Sequence, residues 1–240
     1  MSRVASDDPI DRAEPPLPTR TVQTVELAVF LFLIMPSMVI SLFAIQKGSL
    51  SFSLAATAII FRDLSLLSLV CYLIWRNGEG NVRIGWTWRH AGREVILGVI
   101  LFVPFFFGAA KFASLLLHVG LSGPSTTPPS FLQEKGIAED FLAVLLVAVV
   151  AVAEESIFRG YLLLRFQGAL RNTVAAVLLS SIIFAVGHGY EGSAGLLTVG
   201  VMGAVFAIIY LWRGSLIAVI VMHFLQDFIS VVLVPLLVRK

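Results

Sequence analysis

Glu154 and Glu155 close an almost unbroken apolar run, Phe141 to Ala153, and Arg159 follows four residues after the second acid. A charged side chain at the centre of a membrane-spanning helix costs about 2.5–3.5 kcal/mol on insertion scales, so ionisable groups this dense need compensation and mark a functional site by default. Glu155 and Arg159 stand at i, i+4 with the acid N-terminal, the better orientation for a helical ion pair, which assigns both an orienting, structural role. Glu154 lies about 100° around the helix from its neighbour and is left as the carboxylate free for chemistry.

Two histidines and a further acid accompany it. His188 sits between Gly187 and Gly189 at the end of another apolar run, where paired glycines loosen a helix and allow close backbone approach. His223 and Asp227 are again i, i+4 and share one helix face. A lone histidine on an apolar span is more often a core residue than a catalyst, but its register here argues otherwise. If the runs around Glu154 and His188 form an antiparallel hairpin turning at Arg171, each residue is 17 positions from the turn, and both rise to about 25 Å above it. Counted from a turn at Arg213 and Gly214, His223 and Asp227 rise about 14–20 Å. Glu154, His188, His223 and Asp227 are therefore the catalytic candidates, expected to line one cavity within the bilayer.

A carboxylate with two histidines suits water activation: the glutamate takes a proton from water, a histidine orients that water, and another polar group stabilises the oxyanion. The expected reaction is peptide or ester hydrolysis. Ser156 lacks the flanking glycines of a nucleophile elbow. Cys71, the single cysteine, lies inside an apolar span and is expected to be buried and inert. The expected reaction uses no cofactor. A zinc site on Glu154, His188 and His223, with a water in the fourth position, is the alternative use of the same residues, although no HExxH motif is present.

The elements that must position these groups are helices in a membrane. The 240-residue chain is 58% hydrophobic and 13% charged, more apolar sequence than a soluble core of this size can use. Seven stretches approach or exceed the roughly 20 residues that cross a bilayer: Val22–Ala44, Leu50–Trp75, Ile96–Val119, Phe141–Leu164, Val174–Gly189, Leu196–Trp212 and Ser215–Val238. The expected fold is all-α, a polytopic transmembrane bundle of about seven spans.

Residues 1–20, rich in Asp, Pro and Arg without periodicity, are expected to form a disordered cytoplasmic tail, followed by N-terminal helices over 21–120 and a catalytic transmembrane domain over 121–240. With the N-terminus inside, ten arginines from Arg3 to Arg213 fall on the cytoplasmic side against Lys47, Lys135, Arg239 and Lys240 outside, as the positive-inside rule prefers. The segment Asn77–Arg93, with Trp86 and Trp88 among Arg83, Arg89, His90 and Arg93, has the composition of a stretch lying at the headgroups. Arg62 and Asp63 are expected to pair with each other or another helix, Lys111 to snorkel or face the cavity, and Glu191 to sit in an outside loop. A net charge of +2 offers no case for nucleic acid as a partner.

Three blocks occur in order: Glu154-Glu155-Ser156-Ile157-Phe158-Arg159 as EExxxR, Phe184 to His188 as FxxxH, and His223 to Asp227 as HxxxN/D. On these the chain resembles the CAAX protease and bacteriocin-processing family (CPBP, or Abi) of intramembrane proteases, with a likeness to type II CAAX prenyl endopeptidases. The resemblance covers roughly the last 90 residues. It implies that Glu154 and His188 activate water, that His223 and residue 227 support the oxyanion, and that Glu155 and Arg159 orient them. It further implies a peptide or prenylated-protein substrate met in the lipid phase, and the short loops suit a bacterial inner membrane. The departure is Asp227, where CAAX-cleaving members carry Asn. An ionised Asp only accepts hydrogen bonds, so its expected role shifts to fixing the tautomer of His223 or ligating a metal. A non-catalytic peptide-binding or bacteriocin self-immunity protein is the alternative from a different class. A proton-coupled transporter is disfavoured, because no repeated halves with broken helices are visible.

Overall fold

Apolar runs in a bilayer become helices because no water is present to satisfy a free backbone N–H or C=O. In the computed structural model, which describes residues 16–45, 51–124 and 136–238, the helices are α1 (Arg20–Ile45), α2 (Phe52–Arg76), α3 (Ala91–His118), α4 (Ile137–Glu155), α5 (Leu163–Leu170), α6 (Thr173–Val186), α7 (Gly192–Arg213), α8 (Ile217–Asp227) and α9 (Val234–Val238). The described residues contain no strand. The all-α expectation holds. The first fifteen residues of the expected tail, the loop prolines Pro128 and Pro129, and Lys47, Lys135, Arg239 and Lys240 lie outside the described residues.

Among the described residues, five helical stretches are long and apolar enough to cross a membrane: Phe52–Arg76, Ala91–His118, Ile137–Leu170, Gly189–Arg213 and Ile217–Val238. Two of the expected spans differ from their sequence outlines. The fourth is a continuous 34-residue rod, Ile137–Leu170, in which α4 passes through a π-helical segment, Ser156–Leu162, into α5. The fifth, α6, has only 14 residues, about 21 Å of helix against a hydrocarbon core of about 30 Å. The turn between them falls where the hairpin argument needs it: α5 stops at Arg171 in the left-handed conformation (φ 55°), and Asn172 caps α6 by accepting the Ala175 N–H at 3.0 Å.

Large apolar side chains lie on the outer surface, including Phe32, Phe107 and Phe141. On a chain with five such helices this is the surface of an integral membrane protein. Cys71 belongs to that surface. It is exposed on α2 beside exposed Tyr72 and Trp75, which corrects the expectation of a buried thiol. Lipid-facing and core-facing positions are equally apolar, so hydrophobicity alone did not separate them.

One core joins the N-terminal helices to the C-terminal half: Leu27, Phe30 and Ile34 of α1 pack with Phe158, Tyr161 and Leu162 of the π-helical segment. An ion network seals one end of it. Arg165 of α5, wholly buried, donates to Glu26 Oε2 of α1 (3.0 Å) and to both oxygens of Glu79 in the α2–α3 connection, while Asn77 Nδ2 donates to Glu26 Oε1 (2.8 Å). Arg165 is thus a core cation.

The α2–α3 connection also lies on the rod Ile137–Leu170. The chain reaches it through a short 3₁₀ turn, Asn81–Ile84, and a Cβ on Gly160 would meet the Ile84 carbonyl oxygen at 2.7 Å, so only glycine permits this approach. Trp86 Nε1 donates to Ser156 Oγ at 3.2 Å across the same contact. The π-helical turn releases backbone carbonyls from the regular ladder, and Ser180 Oγ of α6 donates to one of them, Phe158 O, at 2.8 Å. A second π-helical segment, Phe228–Leu233, begins directly after Asp227.

Candidate active site

Glu155 is the hub. Wholly buried at the end of α4, its Oε1 accepts from Arg159 Nη1 at 2.9 Å and from His223 Nδ1 at 2.7 Å. The first bond is the i, i+4 pair anticipated from spacing. The second ties α4 to α8. Arg159 is itself buried, its guanidinium lying over the Phe184 ring at 4.3 Å and the Phe206 ring at 5.3 Å, with Nη2 donating to Gly203 O at 3.4 Å. Cation–π contact and one carbonyl are weak substitutes for water, so the carboxylate is the main compensation for the charge.

A carboxylate only accepts, so His223 Nδ1 carries the proton in this bond and Nε2 turns toward the cavity. There Nε2 stands 3.4 Å from Asp227 Oδ2 and 3.9 Å from Glu154 Oε2. The tautomer of His223 is therefore set by Glu155. Asp227 faces the other nitrogen.

Glu154 does not stand free. Its Oε1 lies 3.7 Å from Arg62 Nη2 of α2, while Oε2 is buried with no hydrogen-bond partner among the described residues. Arg62 in turn donates Nε to Asp63 Oδ1 at 2.7 Å. The expected pairing of Arg62 with Asp63 is present, and the contact with Glu154 is added to it.

His188 follows the end of α6, past the Gly187 cap and before the 3₁₀ turn Gly189–Glu191. Its Nδ1 is 3.0 Å from Phe184 O. A carbonyl only accepts, so this nitrogen carries the proton and Nε2 keeps its lone pair. The imidazole packs on Phe184 at 4.8 Å and near Tyr190 at 6.0 Å.

Glu154, His188, His223 and Asp227 all line one cavity of about 470 Å³, together with Arg62 and Asp63. Its wall is otherwise largely apolar, with Ile34, Leu146, Phe106 and Val199 among the lining residues. Volume and chemistry fit a pocket for an apolar ligand oriented by a few polar groups. Glu191 also lines it, from the 3₁₀ turn that connects α6 to α7. Lys111, His118 and His90 are exposed. Among the described residues no group of three His, Cys, Asp or Glu side chains is arranged to hold a metal ion.

Chemically the site holds a carboxylate oxygen able to accept a proton, one imidazole presenting a lone pair, and a second imidazole held from behind by a buried acid. Arg62 and Asp63 are the members that sequence reasoning passed over as a local pair. Two adjacent charges in the middle of an apolar span were the available signal.

Residues 138–229 match a family model described as type II CAAX prenyl endopeptidase Rce1-like. No curated protein and no solved structure matched the chain. The matched stretch contains all six residues of the three sequence blocks that carry charge or imidazole, and it leaves α1, α2 and α3 outside.

Proposed function

We propose that the chain, whose residues 138–229 match a family model described as type II CAAX prenyl endopeptidase Rce1-like, is an intramembrane endopeptidase that hydrolyses a peptide bond with water activated by Glu154 and His188. The observation that carries this reading is the shared cavity, in which the unpartnered Oε2 of Glu154 lies 3.9 Å from His223 Nε2 and His188 lines the same wall.

Glu154 accepts a proton from water while the lone pair of His188 Nε2 orients it. The resulting hydroxide adds to the scissile carbonyl carbon, and the carbonyl π electrons move to oxygen. His223, protonated at both nitrogens, donates from Nε2 to that oxyanion, and Glu155 behind Nδ1 stabilises the imidazolium. Collapse of the tetrahedral adduct breaks the C–N bond, and Glu154 returns its proton to the leaving amine. Asp227, as an acceptor beside Nε2, favours the imidazolium between turnovers. This route needs no metal, and carboxylates at both nitrogens of His223 support it over a zinc site on Glu154, His188 and His223.

The substrate class is a peptide or prenylated protein entering from the lipid phase, which the apolar cavity wall suits. The arginine distribution supports a cytoplasmic N-terminus, and the short loops suit a bacterial inner membrane. The test is cleavage of a farnesylated CAAX-type fluorogenic peptide by purified protein, alone and with a metal chelator. Cleavage that survives the chelator and is lost in Glu154→Gln and His188→Ala is expected; full activity in both variants refutes the assignment.

A further inference from the structure

The sequence blocks place every reactive group in the second half of the chain, yet a charged side chain from α2 reaches the centre of the site. Its register is set by packing. Phe52, Ala56 and Ile60 of α2 pack with Ala143, Leu146 and Val147 of α4, and Ser53 Oγ donates to Glu139 Oε1 at 2.8 Å where the two helices begin. Ala56 and Ala143 are both wholly buried, and small residues at such a contact let two membrane helices approach closely. The helices run in the same direction, so the contact carries forward from Ser53 and Glu139 to Arg62 and Glu154.

Asp63 is buried to 1% exposure, with Oδ1 on Arg62 Nε and Oδ2 without a hydrogen-bond partner among the described residues. A carboxylate that deep in an apolar helix is costly and calls for a role. Arg62 is, among the described residues, the single arginine or lysine lining the cavity, whose other charged members are Asp63, Glu154, Glu191, Asp227 and the two histidines.

Building on the hydrolytic reading above, we propose that Arg62 is a positioning residue for the water-activating carboxylate of Glu154 and that Asp63 holds Arg62 in place. The geometry is a chain of contacts from Asp63 Oδ1 through Arg62 Nε and Nη2 to Glu154 Oε1, at 2.7 Å and 3.7 Å. It engages one oxygen of Glu154 and leaves Oε2 turned to His223. Each reactive group of the site then has a polar partner behind it: Glu155 behind His223, the Phe184 carbonyl behind His188, and the Asp63–Arg62 pair behind Glu154. Without Arg62 the Glu154 side chain loses the contact at Oε1 that orients it.

The experiment uses full-length protein in detergent with Arg62→Gln, Arg62→Lys and Asp63→Asn, and two readouts. The first is cleavage of the farnesylated peptide as free acid and as C-terminal amide. In Arg62→Gln, kcat should fall about 100-fold on both while KM stays within about twofold; Arg62→Lys should recover about tenfold, and Asp63→Asn should lower kcat in the same sense. The second is labelling of Glu154 by dicyclohexylcarbodiimide, followed by peptide mass spectrometry, with Glu154→Gln as the blank. Arg62 covers Oε1 of Glu154, so its removal should open that carboxyl to the reagent and speed its labelling. Unchanged labelling of Glu154 in Arg62→Gln overturns the proposal. So does an unchanged kcat with a KM that rises for the free acid alone, which would make Arg62 a subsite for the substrate carboxylate. If the wild-type protein cleaves nothing, the hydrolytic reading falls while the labelling still decides the contact between Arg62 and Glu154.

Discussion

The pair Glu155 and Arg159 offers a stringent test, because its worth follows from burial and geometry. Arg159 is 1% exposed and its guanidinium meets one carboxylate at 2.9 Å, one carbonyl at 3.4 Å and two aromatic faces. Breaking a buried ion pair by removing one partner costs about 3–5 kcal/mol, because the remaining charge is stranded. Glu155→Gln keeps the shape and one possible acceptor for Arg159, so its cost should fall near about 3 kcal/mol, the lower end of that range. Arg159→Met strands the Glu155 carboxylate with only the His223 Nδ1 donor and should cost about 4 kcal/mol. The double variant strands neither charge, and its cost should fall short of the sum by about 1.5–3 kcal/mol. Ordinary hydrogen bonds in membrane bundles couple by only about 0.6 kcal/mol on average, so a coupling of about 1.5–3 kcal/mol identifies an ion pair.

The assay is reversible chemical denaturation in detergent micelles, followed by circular dichroism for the four proteins of the cycle. Glu155→Gln should in addition lower kcat by about 10²–10⁴, since the amide no longer holds the Nδ1 proton of His223 or stabilises its charge. Additivity within about 0.5 kcal/mol would refute the reasoning, as would a Glu155→Gln protein with unchanged kcat.

Three further outcomes follow. Gly98 of α3 packs on α8 so closely that a Cβ would meet Ala218 O at 2.7 Å and Val221 Cβ at 2.9 Å; Gly98→Ala should cost about 1–3 kcal/mol in micelle denaturation and displace His223, lowering kcat, and a variant of wild-type stability would contradict this contact. Arg165→Met leaves Glu26 and Glu79 buried together and should destabilise by about 3–5 kcal/mol, while KM measured on the folded fraction at low temperature stays as in the wild type. Asp227→Asn, which can donate as well as accept, should retain kcat/KM within about tenfold, whereas Asp227→Ala should lose more, and equal losses would remove Asp227 from the mechanism.

The sequence by itself determined what depends on covalent spacing. The apolar runs, the i, i+4 pair of Glu155 and Arg159, the shared face of His223 and Asp227, and the break at His188 are all local helix geometry, as are the stops at Arg171 and Gly214. Equal counts from Arg171 were enough to bring Glu154 and His188 to one cavity. What only the tertiary structure decided are the contacts between rods that spacing does not relate. Among these are His223 on Glu155 across 68 residues, Arg62 beside Glu154, and Arg165 buried between Glu26 and Glu79. The π-helical turns after Glu155 and Asp227 belong with them, since the first depends on Ser180 of α6 to satisfy a carbonyl it releases. The physical reason is the solvent. In water, a helix shows its buried face by where its polar residues are not; in a bilayer, the lipid side and the core side are both apolar, so Cys71 and its neighbours carry no mark of which way they face. Only the charges are informative there. They announce that a partner must exist, and packing decides which one.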